Sequence, residues 1–153
     1  MSGFIAVAQA SELTVINDGW WPNIEANRIR EGHRIDSSIT DTRLQVAITS
    51  ALISANRDLV AFKARNTVLG YTSLAEVPSD QLNGVSLLLQ LYNRAVSCLA
   101  CSELYERYRS YDTTKAGSQS ADELTPSIDE YRRDARWAIR DLLGLGRSTV
   151  ELI

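Results

Sequence analysis

Val85-Ser86-Leu87-Leu88-Leu89-Gln90-Leu91-Tyr92-Asn93-Arg94-Ala95-Val96-Ser97-Cys98-Leu99-Ala100-Cys101 is the most apolar stretch of the chain. Its apolar residues recur at helical spacing and cover most of the circumference, the pattern of a helix buried on most sides. Gln90, Asn93 and Arg94 interrupt it, so it is too polar for a membrane span. The spacing predicts a central core helix from Val85 to about Tyr108, amphipathic only at its end, Glu103-Leu104-Tyr105-Glu106-Arg107-Tyr108-Arg109. The rest of the fold should pack around it.

Upstream, residues 71–84 carry Pro78, Ser79, Asp80, Asn83 and Gly84 and read as a connection, longer than bundle helices usually need and so a candidate functional loop. Before it, Leu44, Ile48, Ala51, Leu52, Ala55, Leu59 and Phe62 define one long amphipathic helix from Thr40 to about Leu69, with Thr40 and Asp41 as caps and Gly70 as the stop. Arg43, Gln45, Ser50, Ser54, Arg57, Asp58 and Arg65 form its solvated or partner-facing side. Trp20-Trp21-Pro22 reads as the start of a short helix ending at Gly32. Residues 1–19 lack a period, contain the Asn17-Asp18-Gly19 turn signal and read as an irregular arm.

Downstream, residues 111–119 are polar and read as a loop, Ser120-Ala121-Asp122-Glu123 as a capping box, and Thr125-Pro126 as the start of a last helix reaching about Leu143. The expected class is therefore all-α, a small bundle of about four to five helices. Residues 1–19 form its N-terminal arm, 20–143 the helical bundle and 144–153 an extended C-terminal tail.

With 153 residues, one domain with a full core is expected. A net charge of −3 gives no overall basic field, yet every cation except Lys63 and Lys115 is arginine, which favours bidentate pairing with carboxylates or phosphates. That excess motivates a second reading, a DNA-binding packaging or regulatory factor. Cys98 and Cys101, the only cysteines, read as small buried residues in a reducing compartment, because zinc would need two more soft ligands. His33 is the only histidine and reads as a surface or capping residue. No phosphate loop or nucleophile turn is present, so no enzyme, cofactor or metal is expected. The N-terminus has no basic segment and is not read as a signal peptide.

The last helix places Tyr131, Ala135, Ala138, Ile139 and Leu142 within about 80° of Ile128 on a helical wheel, which defines its core stripe. Trp137 falls on the opposite side. Arg133, Arg136 and Arg140 flank it on one side, and Glu130, Asp134 and Asp141 on the other. An aromatic anchor between opposite charges suits a head-to-tail subunit contact, so these seven residues are the candidate interface. Trp20, Trp21 and the apolar tail residues Val150, Leu152 and Ile153 suit either intrachain packing or docking to a partner.

Five stretches resemble the head-completion (head–tail connector) proteins of P2-like tailed bacteriophages. They are Trp20-Trp21-Pro22, Leu91 to Val96, Glu106 to Thr114, Ile128 to Ile139 and Thr149 to Ile153, in the same order along the chain. The resemblance implies a virion protein, assembled in the host cytoplasm, that joins the capsid after packaging. It implies a homo-oligomeric ring, commonly of twelve, beneath the portal protein, retaining double-stranded DNA without reading its sequence and offering a surface to a tail or tail-terminator protein. No membrane partner is implied. It further implies a loop reaching towards the channel, for which Asp112, Thr113, Thr114 and Lys115 are candidates, and a terminal segment inserted against the portal or a neighbour.

Overall fold

In the computed structural model the central helix is α4, Leu87–Tyr111, lying between α2, Asp41–Asp58, and α5, Lys115–Leu142. The structure describes residues 12–111 and 115–146, with side chains at 12–108 and 128–146. Tyr92, Ala95, Val96, Ala100 and Cys101 on α4 are fully shielded from solvent. Opposite them α2 presents Leu44, Ala47, Ile48, Ala51, Leu52 and Ala55, whose alternation of alanine with larger residues lets the two helices interlock. From α5 come Ile128, Ala135, Ala138 and Leu142, with Tyr131 and Ile139 packed beside them, as the wheel requires.

The long helix expected over Thr40 to Leu69 is two helices, α2 and α3, Val60–Val68, meeting at Leu59. No proline or glycine is at the junction. Leu59 is completely buried, Phe62 packs against Trp20 and Trp21, and Lys63 reaches Asp18 at 2.6 Å, contacts that hold α3 against the N-terminal segment. The Thr40 hydroxyl caps α2 by accepting from the Arg43 N–H at 3.3 Å. Gly70, with φ of +94°, closes α3 in a Schellman turn: the Tyr71 N–H donates to the Asn66 carbonyl and the Gly70 N–H to that of Thr67.

Two short antiparallel ribbons make the protein mostly helical instead of purely all-α. In the first, β1, Thr14–Val15, pairs with β2, Ile24–Glu25, and α1, Ala26–Gly32, follows directly. The helix expected from Trp20-Trp21-Pro22 thus begins only at Ala26. The Asp18 carboxylate accepts the backbone N–H groups of both Trp20 and Trp21 at 3.0 Å, which fixes that dipeptide in a turn instead of a helix. The stretch read as an arm is tied into the fold from Leu13 onward, where the Leu13 carbonyl accepts the Ala26 N–H.

The second ribbon pairs β3, Gln81–Leu82, with β4, Val85–Ser86, inside the expected connection. Its two-residue turn, Asn83-Gly84, has φ of 54° and 72°, the left-handed pair that a tight hairpin needs. A 3₁₀ turn, Leu74–Glu76, precedes it. At the other end, Tyr111 belongs to α4 and Lys115 already to α5, so residues 111–119 are not one polar loop. The helical backbone runs through Thr125-Pro126; a proline inside a helix removes one hydrogen bond without ending it.

Candidate interaction surfaces

The outward side of α5 gathers the expected interface residues, but in a more closed form than the wheel implies. Trp137 is half-buried, with the Arg133 guanidinium 4.7 Å above its ring. Arg133 also pairs with the neighbouring Asp134 at 3.0 Å, and Asp134 accepts from Arg94 on α4 at 3.2 Å. At Arg133 and Asp134 the basic and acidic flanks are therefore joined to each other. Arg140 turns away to donate to the Gly146 carbonyl after Gly144 ends the helix, while Glu130 and Arg136 are exposed.

Trp20 and Trp21 offer no docking surface. Both are buried, edge to face at 4.6 Å, and Trp21 stacks on Tyr92 with ring centroids 4.7 Å apart. The Trp20 indole N–H donates to the Tyr71 carbonyl at 3.1 Å. Their large apolar area belongs to the core, where a buried indole N–H needs such a partner. The remaining docking candidates, Val150, Leu152 and Ile153, and the channel candidates Asp112, Thr113 and Thr114 lie outside the described residues. Lys115 is the first residue of α5.

His33 caps α1 and faces Tyr131 on α5, Nδ1 to Oη 3.4 Å. Burial, and then the Arg94 charge, push its pKa below the usual histidine value. Cys98 and Cys101 are buried free thiols; burial pushes both up, Cys101 to about 12, so neither ionises readily. Among the described residues no group of three or more His, Cys, Asp or Glu side chains is placed to hold a metal ion. No helix among them is long and apolar enough to cross a membrane.

One surface was not legible from the charged residues alone. Val46, Ile53, Val60 and Val68 on α2 and α3 are exposed on the side opposite the core. The signal was there in the seven-residue spacing of Val46, Ile53 and Val60, hidden because the polar residues between them look like an ordinary solvated face.

A small helical protein whose exposed helices carry anchors and paired charges is equipped for structural assembly. The comparisons make that class specific. Residues 15–153 match the family described as phage head completion protein (GPL), and the chain belongs to it. A head completion/stabilization protein of Escherichia phage P2 is 35% identical over 153 residues, spanning 99% of this chain and 90% of the relative. The family is structural and not enzymatic, and a phage head protein is a component of the virion. No solved structure matches.

Proposed function

We propose that copies of this chain, twelve as in related connectors, form a ring beneath the portal of the DNA-filled head, help retain the genome and present the surface to which the tail attaches. The chain works in the neck of the virion by binding and not by catalysis, and it assembles there from the host cytoplasm. The observation that carries this reading is the family match through residues 15–153, including the α5 face around Trp137. That face is one contact surface of the ring. The tail residues Val150 to Ile153 dock on the portal or a neighbour, and Asp112 to Lys115 approach the channel.

DNA-binding regulation fits less well. The chain is net acidic, and Arg28, Arg30, Arg132 and Arg133 are each held by a carboxylate within 3.0 Å. Phage particles made without this protein should package DNA, then lose it and fail to join tails. Normal infectious particles from such a preparation would overturn the reading. Duplex-DNA binding that falls steeply with salt would favour the regulatory alternative, since phosphate contacts release counterions.

A further inference from the structure

The outward line of α2 and α3 has an apolar character that its own fold leaves uncovered. At about 100° per residue, Val46 and Ile53 on α2 fall on nearly one line, directly opposite the buried Ile48 and Ala55, and Val60 and Ala64 are exposed in the first turns of α3. Val46, Ile53, Val60 and Val68 are 53%, 64%, 62% and 87% exposed. Isolated exposed aliphatic residues are ordinary, but a row of them at seven-residue spacing is the seam of a helix that meets a partner. Arg57 lies close to this line and Arg43 flanks it at about 60° on the wheel. Asp58 stands off to its side, 3.8 Å from Arg57, and no carboxylate lies on the line itself.

A second surface has the opposite charge. On the β1–β2 ribbon, Val15 points into the core, so Thr14 and Ile16 face out, and Ile16 is 70% exposed. Glu25 is the register partner of Thr14 on this outer face. Glu12 and Glu31 join it around a groove of about 540 Å³, and Arg28, the one cation among the described residues lining it, is held by Glu25 at 2.6 Å.

We propose that these two surfaces meet between copies of the chain: the Val46–Ile53–Val60 seam of one copy docks on the acidic outer face of the β1–β2 ribbon of the next. This rests on the ring reading above and assigns its copy-to-copy contact. Charge complementarity selects a second copy as the occupant, with Arg43 and Arg57 meeting Glu12, Glu25 and Glu31 around an apolar contact between Ile53 and Ile16. It also selects the geometry. The seam's arginines and the ribbon's carboxylates lie on different patches, and a parallel pairing of the seam with itself would set each arginine against its own copy, so opposite charges meet when one patch docks on the other. Two different patches on one subunit give the head-to-tail arrangement from which rings close.

The test mixes two purified full-length proteins, one Ile53→Cys and the other Ile16→Cys, at high concentration under diamide. The native thiols are buried and should stay silent. Disulfide-linked dimers are expected in the mixture at about tenfold or more above either protein alone. Adding Arg57→Glu to the first protein should cut the yield, and adding Glu25→Arg to the second should restore it. No excess in the mixture, equal dimer from Ile53→Cys alone, or indifference to the charge changes would each overturn the proposal. Such a result leaves head completion standing, because that is judged separately by DNA retention.

Discussion

Trp20-Trp21 and Trp137 invite the same reading in the sequence, large apolar side chains in polar surroundings, yet the fold uses them in opposite ways. The N-terminal pair is sealed against Phe62 and Tyr92, residues far along the chain. Trp137 stays half-buried near the surface, with the Arg133 guanidinium over its ring. The difference teaches that a helical wheel assigns a face only when the helix itself is correctly assigned. For Trp137 it was. For Trp20 and Trp21 there is no helix, and a turn held by Asp18 swings both rings inward.

The comparison breaks most directly at Trp21. Trp21→Ala should cost about 3–5 kcal/mol of unfolding free energy, since it deletes a buried ring and leaves a cavity against Tyr92 and Phe62. Trp137→Ala should cost roughly 1 kcal/mol, on the scale of an exposed cation–π contact with some lost packing. Urea unfolding of both variants measures the contrast. Equal losses would mean that Trp137 is a core residue and that α5 has no open face there.

A second, smaller effect sharpens what holds the N-terminal region. The Tyr92 hydroxyl accepts from Asn17 Nδ2 at 2.9 Å and donates to Asn56 Oδ1 at 2.5 Å, and Asn56 Nδ2 donates to Asn17 Oδ1 at 2.9 Å, closing a ring of hydrogen bonds. Tyr92→Phe keeps the stack on Trp21 but takes the hydroxyl donor from Asn56 Oδ1, while Asn17 Nδ2 keeps its bond to the Pro22 carbonyl at 3.0 Å. It should cost about 1–3 kcal/mol, the range for stranding buried polar groups. A loss near zero would show that ring stacking alone ties β1 and its turn to α4.

The inner faces of α2 and α5 were legible because each buries one continuous stripe, Leu44 to Ala55 and Ile128 to Leu142. The ribbons were not, since two-residue strands are too short to show a period of two. Asn83-Gly84 did carry a hairpin signal, which the surrounding Pro78, Ser79 and Asp80 made look like plain loop. The α5 candidates share the outward side of one helix. Their pairing escaped the sequence because Arg94, on α4 and far from Asp134 along the chain, supplies its second partner. The apolar seam of α2 and α3 escaped for a different reason: attention to charge hides β-branched residues spaced one per two turns.

The smallest predicted effect lies where the two regions meet. His33 ends α1, faces Tyr131 and Arg94, and shares a groove with Glu25 and Arg28. Burial and the Arg94 charge lower its pKa in the folded protein, so in the window just below the ordinary histidine value the unfolded chain binds a proton that the folded chain refuses. Stability from this group is therefore complete above about pH 6.5 and declines as pH falls, levelling once the folded His33 is itself protonated. The lowered carboxylates Asp18, Asp36 and Glu76 act only at more acidic pH, as they protonate, so the windows separate. His33→Gln should flatten the fall in the urea midpoint between about pH 7.5 and about pH 5.5 while leaving the loss below that range. An unchanged slope in the variant would mean that His33 is freely hydrated and that the contact between α1 and α5 does not depend on its neutral form.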